Sequence, residues 1–174
     1  MKSKLNHIFI LKLIAVLFLM VSCGNDDDSL QRIDQIMNFS IKNAAGQDLM
    51  NPKKAGSYTS YSVNDDNGAT AVAAVAVPLR MTTDSLYYFE YIKGAKRIIK
   101  DSVSPDNRTY KSNLTFTLSK IVNNQTVSVT DAMEIRYRWT PSVFQISEVL
   151  YNGEVVFSKA ADAPNAINTF TIRK

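Results

Sequence analysis

Tyr110-Lys111-Ser112-Asn113-Leu114-Thr115-Phe116-Thr117-Leu118-Ser119-Lys120-Ile121-Val122 alternates polar and apolar residues over a length that only a β-strand explains. Leu114, Phe116, Leu118 and Ile121 are read as its apolar set. Asn123-Asn124 turns the chain, and the alternation resumes from Thr126 to Trp139. There Ile135, Tyr137 and Trp139 share one face, while Glu134, Arg136 and Arg138 share the other. Side chains alternate across a strand, so this pair is expected to bury one face and wet the other. Trp139, the only tryptophan, is read as core.

The rest of the chain repeats this period in shorter pieces. Ile36 to Ile41, Tyr58 to Val63, Thr70 to Val77, Ser85 to Ile92, Lys96 to Lys100 and Thr169 to Ile172 all read as strands. Tyr87, Phe89 and Tyr91 share one face of the aromatic run, and Leu86, Tyr88, Glu90 and Ile92 the other. Val143 to Tyr151 and Glu154 to Ser158 flank Asn152-Gly153, the strongest short signal for a tight hairpin. Asn64 to Gly68 and Ser104-Pro105-Asp106 read as turns, and Ala160 to Asn168 as a loop. Ser29 to Met37 has helix-like apolar spacing and reads as one or two helical turns or as linker. Eight to ten short strands without a long helix predict an all-β domain. The expected architecture is an antiparallel β-sandwich of immunoglobulin-like shape, with a lipocalin-like β-barrel as the alternative.

The N-terminus sets location. Met1-Lys2-Ser3-Lys4 precedes the apolar stretch Ile8 to Val21, interrupted only by Lys12, and Ser22-Cys23 follows. A basic start, an apolar core and a small residue before the cut are the requirements of an export signal. The expected organisation is a signal peptide over residues 1–22, a lipid anchor and tether over 23–35, and one β-rich domain over 36–174. Cys23, the only cysteine, would carry the lipid and hold the protein to the membrane through it. The leader contains three of the 20 basic residues (Lys2, Lys4, Lys12) and none of the 16 acidic ones. Without it, 17 basic side chains face 16 acidic ones, so nucleic acid is not expected as a partner. His7, the only histidine, also lies in the leader. Triad, Cys-His and His-ligated zinc chemistries are therefore not expected, and no cofactor is.

Several clusters were weighed for function. Lys93, Lys96, Arg97 and Lys100 form a basic group after the aromatic strand, and Tyr88 is an outward-facing aromatic beside it. Tyr88, Lys93, Lys96 and Arg97 are the candidate ligand surface, for an acidic glycan or an envelope protein. The plainer reading is a solvated edge strand guarded by lysines. Asp65, Asp66 and Asn67 offer oxygens for calcium but lack the full ligand set, so turn chemistry is expected. Asp48 and Asn51 are read as loop residues that bond their own backbone. Glycosidase chemistry needs two carboxylates about 5 to 10 Å apart. Asp84, Glu90, Asp131, Glu134, Glu148 and Glu154 are scattered, with Glu148 and Glu154 together only around the hairpin. The domain is accordingly expected to be non-enzymatic. An assembly role was also considered, in which Thr169 to Ile172 would be an unpaired donor strand.

Cys23-Gly24-Asn25-Asp26-Asp27-Asp28, the Phe39-to-Pro52 stretch with Gly46-Gln47-Asp48-Leu49-Met50-Asn51-Pro52, Tyr137-Arg138-Trp139 and Val149-Leu150-Tyr151-Asn152-Gly153 together resemble small exported lipoproteins of the Bacteroidetes. Met20-Val21-Ser22-Cys23 is similar to their lipobox. The resemblance implies an outer-membrane lipoprotein, surface-exposed by virtue of its acidic tether, or else facing the periplasm. It brings no catalytic residues. Asp28-Ser29-Leu30, Asp84-Ser85-Leu86 and Asp101-Ser102-Val103 resemble the O-glycosylation triplet of such proteins.

Overall fold

The computed structural model describes residues 30–174. The lipobox, Cys23, the acidic tether and most of the first Asp-Ser-Leu triplet lie outside the described residues. Those described form an all-β structure of eleven strands in two sheets, with no helix among them. In chain order the strands are β1 (Arg32–Asp34), β2 (Met37–Lys42), β3 (Ser60–Asp65), β4 (Leu79–Met81), β5 (Tyr87–Tyr91), β6 (Ile98–Ser104), β7 (Asn107–Val122), β8 (Gln125–Trp139), β9 (Val143–Tyr151), β10 (Glu154–Ser158) and β11 (Asn168–Arg173).

The large sheet is built on β7 and β8, which pair without interruption from Arg108 opposite Trp139 to Val122 opposite Gln125. Its path is β1-β9-β8-β7-β3, and it curls like half a barrel. Both outer edges are shared. Along β9, β1 pairs with Val143 to Gln145 and β10 with Glu148 to Tyr151. Along β7, β6 pairs with Asn107 to Lys111 and β3 with Leu114 to Ser119. The small sheet runs β11-β2-β5-β4.

The sequence pattern gives the inner faces. Leu114, Phe116, Leu118, Ile135 and Tyr137 on the large sheet meet Met37, Phe39, Ile41, Phe89 and Tyr91 on the small one, all fully buried. The space between is packed ring on ring. Phe39 stacks on Phe89 at 5.2 Å and on Phe170 at 5.5 Å, and both Phe39 and Phe89 meet Phe116 edge-on. At one seam Phe157 of β10 lies 5.4 Å from Phe170 of β11. At the other, Tyr61 of β3 packs on Phe89 at 4.9 Å, and its hydroxyl accepts the Leu79 N–H and donates to the Val77 carbonyl.

Five expectations are corrected. The sheets are mixed rather than antiparallel: β1 runs parallel to β9, and β11 parallel to β2. Each parallel pair joins strands far apart in sequence, so no hairpin dictates their direction. Thr169 to Ile172 is therefore not unpaired; β2 holds it in register from Asn168 opposite Met37 to Arg173 opposite Lys42. Ser29 to Met37 is neither helix nor plain linker, since β1 lies inside it and inside the stretch assigned to the tether. Thr70 to Val77 makes only an isolated bridge, Ala74 to Asn64. Its alanines have little side chain to pack, and the Asn64 carboxamide takes the Ala73 N–H in place of a regular ladder. Finally, Ile121 is 63% exposed. Strict alternation puts it on the opposite face of β7 from Leu114, Phe116 and Leu118, near the hairpin tip and past Ser119, where β3 stops. Both tip residues, Asn123 (φ 50°) and Asn124 (φ 62°), have the left-handed backbone of a primed turn. The Asn152-Gly153 hairpin forms as expected, with φ of 51° and 86°.

A buried polar cluster fixes the two ends of the domain to each other. The Asp34 carboxylate accepts a charged bond from Lys159 Nζ and a 2.9 Å bond from Asn168 Nδ2. Asn168 Nδ2 also donates to the Ile36 carbonyl at 2.9 Å, and Lys159 Nζ to Asn168 Oδ1 at 3.1 Å. Asp34 and Asn168 are both buried. Removing one member of such a pair leaves the other charge unpaired, at a cost of about 3–5 kcal/mol. Asp34→Ala is expected to lower the unfolding free energy by that amount in equilibrium urea titrations. Asp84→Ala, at an exposed turn, should stay within about 0.5 kcal/mol of wild type. Equal effects would show that the cluster does not join the ends.

Candidate functional site

Residues from five places in the chain converge at one end of the domain. β1 and its flanks bring Gln31, Ile33 and Gln35; the loop between β5 and β6 brings Lys93, Gly94, Ala95 and Arg97. β7, β8 and β9 contribute Tyr110, Trp139 and Phe144. Together they line an open cleft of about 570 Å³, a size suited to a small ligand or one segment of a longer one.

The loop is fixed by three attachments to the core. Gly94 has φ +126°, and a Cβ there would lie 3.3 Å from Val75 Cγ1, so any side chain would be both strained and crowded. Buried Ala95 donates its N–H to the Tyr91 hydroxyl at 3.4 Å. The Lys96 N–H donates to the Asp65 carboxylate at 2.6 Å. Tyr91 in turn meets the Tyr137 hydroxyl at 3.4 Å. Burial, then the neighbouring Tyr137, push the Tyr91 phenol far above its ordinary range, outweighing the opposing Ala95 N–H and Arg97 charge. The buried phenol to which the loop is attached is therefore neutral and hydrogen-bonded.

Arg97 leaves this loop in a defined pose. Its guanidinium lies over the Phe144 ring at 4.6 Å and the Tyr137 ring at 5.1 Å, themselves stacked at 5.3 Å. One Nη2–H is given to Gln35 Oε1. Arg97 is otherwise exposed, and Gln35 is its hydrogen-bond partner among the described residues. Gln31 Nε2 donates to the Thr140 carbonyl at 2.6 Å, which holds the β1 side of the cleft against the end of β8. Trp139 is half-buried, with Arg108 over its ring at 5.2 Å. No aspartate or glutamate is among the lining residues.

The candidate surface read from sequence is thus divided. Lys93 and Arg97 meet in the cleft. Lys96 is exposed and does not line it. Tyr88 lies on the outer face of the small sheet, opposite Arg80, in a separate groove of about 360 Å³ with Asn38, Ser40, Lys42 and Thr171. Gln31, Gln35, Tyr110, Trp139 and Phe144 were missed. Trp139 could have been suspected from its place: it ends the alternating run, directly before Thr140-Pro141, where a strand leaves the core.

The other clusters serve the fold. Asp65 holds the Asn67 N–H at 2.9 Å as well as that of Lys96, and Asp66 takes the Thr115 hydroxyl at 2.8 Å. Asp48, buried, caps the Met50 and Tyr87 N–H groups, and Asn51 that of Lys53. Ser85 and Ser102 of the two described triplets are both exposed. Glu148 is opposite Ser158, not Glu154, and is paired with Arg136, which also holds Glu134. Glu90 pairs with Arg80 at 3.1 Å.

Asp131 is buried and accepts bonds from Tyr151, Asn152 and Lys174. Burial raises its pKa, but those three donors together, Lys174 foremost, outweigh it and hold the carboxyl below its ordinary value. Glu134 is lowered in the same way, its burial being outweighed by Arg136 and Lys111. A lowered carboxylate pKa contributes stability that is present above its unfolded value and is lost as pH falls through the folded one. Wild type should therefore lose stability progressively below about pH 4, and Asp131→Asn should flatten that slope, as read by urea midpoints between pH 7 and 2.5. An unchanged slope would mean that Asp131 is not a source of the acid sensitivity. Compared with models of known families, with curated proteins and with solved structures, the chain matches none.

Proposed function

We propose that this chain is a lipid-anchored, non-enzymatic binding module of the bacterial cell envelope. It is tethered through Cys23 in the outer membrane, faces the cell exterior, and has the architecture of an immunoglobulin-like sandwich. Its ligand is a glycan or an envelope or host surface protein. The observation that carries the reading is the Trp139–Arg97 cleft, where fixed aromatic and cationic groups stand open at one end of a filled core. Recognition surfaces favour such side chains because they offer large contact area at little entropic cost. The export signal and Cys23 supply the location. The lipocalin-like carrier is the weaker reading, because the packed rings of Phe39, Phe89 and Phe116 occupy the space between the sheets.

The test is fractionation of a diderm bacterium expressing the full chain. Wild type should incorporate labelled palmitate, enter the outer-membrane fraction and be digested by protease added to intact cells. Cys23→Ala should lose the label and leave the membrane. Wild type that is labelled but fully protected from protease would place the domain on the periplasmic face instead. Unlabelled wild type would end the anchor reading.

A further inference from the structure

The chemistry of the cleft defines its ligand more narrowly, provided that the cleft is the recognition surface. The geometry points to a sugar ring bearing a carboxylate, a uronic-acid unit of a glycan, with its acid group on Arg97 and a ring face on Trp139.

Four features lead there. First, Arg97 is pre-organised. Two aromatic rings support its face and Gln35 takes one N–H, so its remaining N–H donors are held in place. A guanidinium fork matches a planar carboxylate with two parallel bonds, and a fixed one loses little freedom on binding. Second, Lys93 adds a mobile second cation, and no lining carboxylate competes for either. Third, Trp139 and Tyr110 line the cleft with the cations; Trp139 is only half-buried, and Arg108 lies over one face of its ring, which leaves the other for a ligand. Amphipathic rings suit the C–H face of a pyranose, which a bare phosphate lacks. Fourth, Gln31 gives an N–H to Thr140 and Gln35 receives one from Arg97. Among the described residues the other end of each carboxamide has no partner, so the Gln31 oxygen can accept and the Gln35 amide can donate, as sugar hydroxyls require. The cleft is open rather than enclosed, so the acidic unit can belong to a longer chain.

The test is calorimetric titration of the full chain, held in detergent micelles, with tetrasaccharides of galacturonic, glucuronic and mannuronic acid. The controls are the methyl ester of the best ligand, a neutral cello-tetraose and inorganic phosphate. At least one tetra-uronate should bind, more weakly as salt rises. Its methyl ester should lose about tenfold in affinity, as should Arg97→Lys, which keeps the charge but loses the fork. Trp139→Ala should lose about tenfold through the lost ring face. Lys120→Gln, near the distant hairpin tip, should bind as wild type does. Circular dichroism melts on each variant separate lost binding from lost folding, and Arg97→Met provides a second cleft variant if Trp139→Ala is unstable.

Equal affinity for the ester or for cello-tetraose would overturn the carboxylate assignment while leaving a glycan module. Phosphate binding with the same Arg97 dependence would reduce the site to a general anion pocket and overturn it too. No binding by any uronate overturns the inference. The anchor and location reading would then stand or fall separately, on the fractionation experiment.

Discussion

Everything in this domain hangs on the uninterrupted pairing of β7 with β8. Along it Leu114, Phe116, Leu118, Met133, Ile135 and Tyr137 all point to the same side and are all fully buried. A slip of β8 by one residue would turn Met133, Ile135 and Tyr137 outward and drive Glu134 and Arg136 into the core. The cost of such a slip far exceeds the few kcal/mol by which a domain is stable. With this register set, β9 is placed on one side and β6 and β3 on the other, and the small sheet has a defined surface to cover.

The chain ends are held by different physics. β1 and β11 enter as parallel partners of β9 and β2, without hairpins to guide them. Their placement relies on polar contacts at defined points: Asp34 with Lys159 and Asn168 at the start, Asp131 with Lys174 at the finish. Hydrophobic burial tolerates some sliding, whereas a buried charge pair tolerates almost none. The polar clusters thus give the edges the specificity that alternation gives the centre. The same division explains the candidate cleft, because its β1 side is a polar-anchored edge and its β8 side belongs to the central pair.

This contrast also decides what could be read from the sequence. Alternation gave the inner faces of β5 and β8 and, Ile121 apart, of β7, since period two is a local property. The Asn152-Gly153 turn was legible for the same reason, its backbone angles being written in two residues. Parallel pairing was not legible, because nothing near Arg32 announces Val143 as its neighbour. Thr70 to Val77 misled because its run of alanine and valine suggests a ladder that a side chain, Asn64, partly replaces. The basic group was seen, but charge in sequence does not reveal direction: Lys93 and Arg97 turn into a cleft that Lys96 does not line. Trp139 was taken for core because a strand pattern says which face a residue is on, not how far along the strand the core extends.

One feature of the cleft bears on where its ligand can be. Gln31, on its rim, is also the residue by which the chain enters the domain. Seven residues lie between it and Cys23, a span of at most about 28 Å when fully stretched. If Cys23 carries the proposed lipid, that reach would confine the cleft to a thin shell above the bilayer. A glycan rooted in the same membrane shares that shell, so its effective concentration is set by leash length and surface density rather than by bulk solution. A binding constant too weak to matter against a dissolved ligand would then suffice to keep the cleft occupied.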